Sequence, residues 1–382
     1  MEREIFEDEH RQFRAAVREF VQRELVPNGE KWEKAGLVDR EVFVKAAEVG
    51  LLGFNVEEEF GGGGVDDFRF NAIIAEEMSY ARVSGPGFAL HNDIVAGYLR
   101  RLASPEQKQR WLPPFAAGEE IWAIAMSEPG AGSDLKGITT TAVRDGDEWV
   151  ISGAKTFISN GINADRVIVV AKSDPSPDAG SKAFSLFVVE RGMKGFERGR
   201  NLDKIGLKAQ DTSELFFDGV RVPHANLLGT EGRGFYHLME NLPEERLSIA
   251  VSAVAGSRSV LDETIEYVKT RTAFGKPIAS FQNTRFVIAE LETEVDIAQV
   301  YLDRCLERAV AGTLTDVEAA KAKWWTSELQ QKVVTKCLQL HGGYGFMAEY
   351  PVAKAFVDAR IQTIYGGSTE IMKEIVGRSL GV

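Results

Sequence analysis

The sequence predicts an α+β protein in which helices and strands occupy separate blocks of the chain. Three observations predict it. Apolar residues recur at helical spacing through about residue 120, the period shifts to two from about Ile121, and helical spacing returns after Pro223 and holds to the end. These changes divide the chain into an N-terminal α-helical domain (1–120), a central β domain (121–226) and a C-terminal helical bundle (227–382). A chain of 382 residues fits two or three such units better than one core.

In the first block Phe6, Phe13, Val17, Phe20, Val21 and Leu25 form the stripe of an amphipathic helix that Pro27 should stop. Phe43, Ala46, Ala47 and Leu51 repeat the pattern. "EEEFGGGGVDD" then breaks it at Gly61–Gly64, where a flexible connection is expected, and "FRFNAIIAEEMSY" resumes a helix. In the second block "IWAIAMS" is an apolar run of strand length, and "TTTAVRDGDEWVISGAKTFIS" alternates around Asp145-Gly146, a hairpin signal. "RVIVVAKS", "AFSLFVVE" and "SELFFDGVRVP" continue with β-branched and aromatic residues, separated by turns such as "DPSPDAGSK". The third block carries long helical runs, Arg246 to Thr270, Thr284 to Val310 and Val317 to Leu340, whose apolar stripes suggest a bundle.

Bulk properties exclude several function classes. The formal charge of -12, from 45 basic and 57 acidic residues, argues against a nucleic-acid partner, which needs a basic face. Two cysteines, Cys305 and Cys337, build neither a disulfide framework nor a thiolate metal site, and are expected as buried free thiols. The five histidines show no metal spacing. "MEREIFEDEH" lacks the apolar core of a signal peptide, and no apolar run approaches the roughly 20 residues of a membrane span. A cytoplasmic protein is expected, or the mature chain of a mitochondrial-matrix protein.

No G-x-G-x-x-G opens a helix after a strand, no Walker sequence occurs, and no G-x-S-x-G elbow is present. Instead "SEPGAGSDL", Ser127 to Leu135, follows the first strand: its glycines let successive N–H groups converge, and Ser127 and Ser133 add hydroxyls, so it can be an anion cradle or only a tight turn. "KTFISNG" places Phe157 and Ser159 on a strand that ends in a turn; an aromatic there is core unless the first loop lies alongside. "RTAFGKPIASFQ" sets Arg271 and Gln282 around a turn, either as a helix-end arginine or as an anion contact. "QLHGGYGF" holds three glycines after a long helix, and a C-cap accounts for only one of them.

In their order, "SEPGAGSDL", "FISNG", "GLKAQDTSELFFDGVRVP", "RTAFGKPIASFQ", "QLHGGYGF" and "IYGGSTEIM" resemble the acyl-CoA dehydrogenase family over essentially the whole chain. The resemblance implies an N-terminal helical domain, a central β-barrel or sandwich and a C-terminal four-helix bundle. It implies an FAD flavoprotein of fatty-acid β-oxidation: an oxidoreductase that converts acyl-CoA to trans-2-enoyl-CoA and passes electrons to electron-transferring flavoprotein. A homo-oligomer, usually a tetramer, goes with it. By the same resemblance Met126, Ser127, Gly132 and Ser133 hold the flavin and its diphosphate, while Phe157, Ile158 and Ser159 line the isoalloxazine. Arg271, Phe274, Gln282, Gln339, Leu340, His341, Gly342 and Gly343 reach the cofactor of a neighbouring subunit, and Ser368, Thr369 and Glu370 close over it. Acyl-CoA contacts are implied for Ser133, Ser181, Lys182, Tyr236, Pro243, Glu244, Glu245, Arg246, Gly366 and Gly367.

The family reaction needs a carboxylate beside the α-carbon, opposite the flavin. In many members it follows the Tyr of the terminal motif, but here that position is Gly366, which has no side chain. A minority supplies the base from a helix, immediately before an arginine. "NLPEERLSIA" therefore makes Glu245 the candidate, since without the family context Glu244 and Glu245 read as an acidic first turn after Pro243. A base in an apolar pocket should have a raised pKa, and glycine at 366 would spare it like-charge repulsion. "WEKAG", "SGPGFALH", "LPEERL" and "AEYPVAKAFVDAR" place the chain nearest the long-chain branch of the family. In that comparison Gly85, Pro86 and Gly87 stand where the acyl pocket should end, and would leave its floor open. An acyl-CoA or flavin oxidase on the same fold, and a non-catalytic acyl-CoA-binding scaffold, are the other two readings.

Overall fold

The computed structural model describes residues 3–176 and 178–382; Met1 and Glu2 of the first segment, and Pro177 of the "DPSPDAGSK" turn, lie outside the described residues. Among the described residues six α-helices come first: α1 (Asp8–Phe20), α2 (Gly29–Ala35), α3 (Glu41–Glu48), α4 (Phe68–Tyr80), α5 (Ala96–Leu102) and α6 (Pro105–Ala116). α6 shows why such a segment starts where it does: the Ser104 hydroxyl accepts from Gln107 N–H, the Gln107 side chain returns to Ser104 N–H, and Pro105 occupies the first turn. Val17, Phe20, Val21 and Leu25 are buried as their stripe requires. Pro27 does not end that helical path, however. A π turn, Val21–Leu25, and a 3-10 turn, Val26–Asn28, carry it into α2, with the proline in a first turn where its missing N–H leaves no gap.

Gly61–Gly64 also departs from expectation, being a packed turn and not a flexible link. Gly64 N–H donates to the Val56 carbonyl at 2.8 Å and Val65 N–H to the Phe54 carbonyl at 2.9 Å. A Cβ on Gly62 would stand 2.2 Å from the Val56 carbonyl oxygen, so close backbone approach demands glycine there.

The strands follow as β1 (Trp122–Ala125), β2 (Thr141–Asp145), β3 (Glu148–Ser159), β4 (Arg166–Lys172), β5 (Phe184–Glu190), β6 (Phe196–Asn201), β7 (Thr212–Pro223) and β8 (Leu227–Leu228). Asp145 pairs with Glu148 across the expected hairpin, and Gly146 takes the positive φ of 62°. The sheet runs β6-β7-β3-β2-β4-β5-β8, with β1 joining β4 in parallel. Trp149 of β3 meets Phe187 of β5 at 5.1 Å between ring centroids, although β2 and β4 separate those strands. The sheet therefore curls around its own inner cluster. β4 is apolar from Val167 to Ala171 because both its faces are covered there: Val167 and Val169 enter that cluster, and Ile168 and Val170 share a second one with Trp111 and Phe115 of α6.

The last block holds α7 (Gly234–Thr270), the short hairpin β9 (Thr272–Ala273) and β10 (Lys276–Pro277), then α8 (Gln282–Val310), α9 (Asp316–His341), α10 (Pro351–Ala359) and α11 (Thr369–Ser379). Leu247, Val251 and Val254 of α7 meet Leu291, Val295 and Leu302 of α8 and Val333 and Val334 of α9 in one core. Cys305 and Cys337 are buried free thiols in that core. α7 corrects the sequence reading of its start: it begins at Gly234 and runs through Pro243, so Glu244 and Glu245 sit inside a helix and not in its first turn. Among the described residues no helix is long and apolar enough to cross a membrane.

Candidate functional site

The buried stripe of α7 runs through Leu238, Leu242 and Leu247, and Glu245 lies on it at 4% exposure. A carboxyl group at a core position must have a reason, because burial disfavours its charged form. Its side chain accepts a hydrogen bond from the Tyr98 hydroxyl of α5, Oη to Oε1 at 3.1 Å. Burial raises its pKa from 4.5 to about 7, more than the Tyr98 hydrogen bond and the nearby Arg246 charge lower it. The group thus sits near half-ionisation at neutral pH, where a carboxyl group can both take and give a proton.

Its neighbours in sequence point elsewhere. Glu244 turns outward to Arg101 at 2.7 Å, and Arg246 is buried against Asp316 at the start of α9. Pro243 lies within the helix just before them. Tyr98 is the residue that sequence reasoning misses. It stands 147 positions from Glu245, and nothing in "NDIVAGYLRRL" distinguishes its hydroxyl from that of any amphipathic aromatic.

Gly366 comes to the same face of α7. A Cβ there would lie 2.3 Å from Cδ1 of Ile249, one turn after Glu245, and Gly366 has φ +64°. The glycine is required by this packing and backbone conformation; the crowding is against the Ile249 side chain and holds for any Cβ, not only for a second carboxylate. Lys323 of α9 is fully buried and donates from Nζ to the Gly367 carbonyl at 2.6 Å, which pins the Gly-Gly turn. Just beyond, Ser368 caps α11, Thr369 donates to Glu328 at 2.9 Å, and Glu370 is exposed.

A second face is built at the edge of the β block, and here the first loop does lie alongside the "KTFISNG" strand. Thr156 N–H donates to the Ser127 carbonyl at 3.0 Å, and Lys155 Nζ to the Met126 carbonyl at 2.9 Å. Glu128 and Ala131 exchange two backbone bonds, closing a turn that leaves Gly130, Gly132 and Ser133 open to solvent. Beneath it the buried Glu128 carboxylate accepts from Thr139 and Thr140 and from Lys155 Nζ at 2.9 Å. Burial alone would raise its pKa; those hydrogen bonds hold it at about 2. Where β3 shifts register against β7, Phe157 has φ +60° and is 70% exposed, a strained aromatic held outward. Ser159 is half-buried beside it, whereas the Ile158 side chain points into the β core and leaves only backbone at that position.

Arg271, Leu340, His341, Gly342 and Gly343 line a third feature, a cavity of about 480 Å³ that also includes Tyr267 and Tyr344. The Arg271 guanidinium lies 5.2 Å from the Tyr344 ring centre. His341 is 3% exposed and neither ring nitrogen has a hydrogen-bond partner. Phe274 caps the adjoining hairpin at 95% exposure, and Gln282 and Gln339 are exposed nearby in the chain. No hydrogen bond, ion pair or ring contact joins this cavity to the Ser127–Ser159 face among the described residues.

Tyr236 lies under the Arg233 guanidinium at 4.4 Å. The Ser181-Lys182 turn reaches the same approach to α7, with the Lys182 carbonyl oxygen 3.0 Å from where a Cβ on Gly232 would be. Gly85 and Gly87 do not open a pocket floor. A Cβ on Gly85 would meet Val38 at 2.7 Å and Ala209 at 2.9 Å, and one on Gly87 would meet Asn160 at 2.7 Å, so these glycines serve close packing.

Family models cover nearly all of the chain. Those described as the acyl-CoA dehydrogenase N-terminal, middle and C-terminal domains match residues 7–119, 123–220 and 232–381. The chain is 50% identical to the mitochondrial long-chain specific acyl-CoA dehydrogenase of Sus scrofa, over 99% of this chain and 88% of that protein. It superposes on an acyl-CoA dehydrogenase from Geobacillus kaustophilus with a TM-score of 0.98 at 46% identity, covering 100% of both chains. An acyl-CoA dehydrogenase from Bacillus anthracis solved in complex with FAD matches with a TM-score of 0.90 at 31% identity, over 98% of this chain and 67% of that one.

Proposed function

The chain belongs to the acyl-CoA dehydrogenase family, and on that premise we propose that Glu245 is the base with which it removes the α-proton of an acyl-CoA. It is an FAD-dependent acyl-CoA dehydrogenase: the α-carbon loses a proton, the β-carbon loses a hydrogen with its electron pair, and the product is the trans-2-enoyl thioester. FAD, when bound, supplies the acceptor for that hydride. The residues present fit the group: an outward Phe157 beside a loop of open N–H groups can carry the ring and diphosphate, and His341, buried with two unpartnered nitrogens, faces the cavity that Arg271 makes cationic. By the family resemblance Arg271 and the 339–343 segment would reach the cofactor of a second chain, which implies at least a dimer.

The remaining chemistry falls to the chain. Glu245 takes the proton and becomes neutral, which its dry surroundings favour. The Gly366-Gly367 backbone, pinned by Lys323, can approach the thioester carbonyl and stabilise charge developing there. The family resemblance supports Tyr236, which packs under Arg233, and the Ser181-Lys182 turn, which packs by Gly232, as contacts for the CoA portion. Likeness to a long-chain relative supports a long acyl substrate, and electron-transferring flavoprotein is the proposed acceptor.

One observation carries the assignment of the base: a carboxyl group buried on the inner stripe of α7, held by a tyrosine and set one turn from the residue that packs on Gly366. The experiment is anaerobic mixing of yellow Glu245→Gln protein with palmitoyl-CoA. The expected result is retained flavin absorbance with no bleaching, and bleaching at the wild-type rate would move the base elsewhere. Wild-type bleaching that peaks with butyryl-CoA and fades with longer thioesters would remove the long-chain assignment.

A further inference from the structure

We propose that Tyr98 is a positioning residue for this base: its hydroxyl binds one carboxylate oxygen of Glu245, Oε1, stabilises the ionised form, and leaves Oε2 as the atom that takes the α-proton. The inference rests on the reading of Glu245 as base.

Tyr98 is fully buried on α5, its ring within the cluster that contains Val95, Leu99 and Trp111, and its polar tip reaches out of that cluster to α7. A buried hydroxyl and a buried carboxyl each need a partner, and here each has the other. The charged groups around Glu245 are otherwise engaged. On α5, Arg101 holds Glu244; on α7, Arg246 is tied to Asp316 of α9. On the π turn Leu90–Val95, Asp93 accepts from Asn71 and Ser248; on α9, Lys323 donates to Gly367. Among the described residues Tyr98 is therefore the group in direct hydrogen-bond contact with Glu245.

Tyr98 cannot ionise in the base's place, because burial and the Glu245 carboxylate push its own pKa well above 10. Whenever Glu245 is charged, Tyr98 is the donor. A single bond to Oε1 also fixes the rotation of the carboxyl group, so the free lone pairs of Oε2 point in one direction. α5 thus grips two adjacent residues of α7, Glu244 through Arg101 on the outer side and Glu245 through Tyr98 on the inner side. Pro243 has removed an intrahelical bond just before them, and these two contacts hold the segment from outside.

The test is the pH dependence of anaerobic flavin reduction by palmitoyl-CoA, with Tyr98→Phe beside the wild type. Phe keeps the ring and loses the donor, so the acidic limb should move up by about one to two pH units, the worth of one hydrogen bond to a charged group. At neutral pH that is a loss of about fivefold or more, recovering as pH rises. A fluorinated tyrosine incorporated at position 98, a stronger donor of nearly the same shape, should move the limb down. Infrared difference titration of the Glu245 carboxyl band, identified by its absence in Glu245→Gln, should show the same displacements without turnover. A limb and band that stay at the wild-type position in both Tyr98 proteins, while Glu245→Gln cannot bleach, would overturn the role of Tyr98 and leave the base in place. Bleaching by Glu245→Gln would overturn both.

Discussion

Replacing Glu245 with glutamine should stabilise the protein, by an amount that grows as pH rises from about 4.5 through about 7. Burial raises the carboxyl group from 4.5 to about 7, and each pH unit between those values is worth about 1.4 kcal/mol. The sign follows from proton counts. Below about pH 4.5 the group is protonated in both the folded and unfolded chains and nothing is lost. Between there and about pH 7 the unfolded chain alone releases its proton, so stability falls as pH rises, and above pH 7 the full cost of about 3 kcal/mol is present. Glutamine keeps the shape and can still accept from Tyr98, but does not titrate. Guanidinium unfolding of both proteins, followed by the fluorescence of the six tryptophans, should therefore give curves whose separation grows by about 2–3 kcal/mol from pH 5 to pH 8, in favour of the variant. A separation that is flat across that range would refute the argument that Glu245 ionises at a buried site.

Two further outcomes follow from the structure. Lys155→Met removes the ammonium shared by Glu128 and the Met126 carbonyl and leaves a buried carboxylate one partner short, so it should cost about 3–5 kcal/mol and yield protein with little FAD, read from thermal melts and from flavin absorbance per chain. Gly366→Ala places a Cβ 2.3 Å from Ile249 Cδ1 at a φ of +64°; the strain of about 1–3 kcal/mol should lower stability and slow flavin reduction, and Ile249→Ala on that background should recover part of the rate by relieving the contact while the backbone strain persists.

Much of this arrangement is legible in the sequence because it is local. The change of period at Ile121 and after Pro223, the Asp145-Gly146 hairpin, and the burial of Cys305 and Cys337 depend on short windows of chain. Glu245 is legible by resemblance alone, because its place on the apolar stripe with Leu238 and Leu242 shows only once α7 is known to run through Pro243. What the sequence hides is set by distant contacts. The start of α7 is obscured because a proline within a helix reads as its beginning. Gly62 and Gly85 read as slack or open space, yet Val56 and Val38 occupy the volume beside them. Ile158, Tyr98 and Ile249 give no sign of which way they face, since partners far along the chain decide it.

The contact between Ile249 and Gly366 has a consequence for how such a site can change over generations. Two stretches of chain, 117 positions apart, border one small volume, and a side chain from the first already fills the room that the second would need. Installing an acid at 366 without trimming Ile249 would jam it; with Glu245 as the proposed base, removing the acid at 245 first would silence the reaction. Migration of the proton acceptor from one stretch to the other is thus a coordinated exchange of three positions, and lineages should hold one solution or the other with few functional intermediates between them.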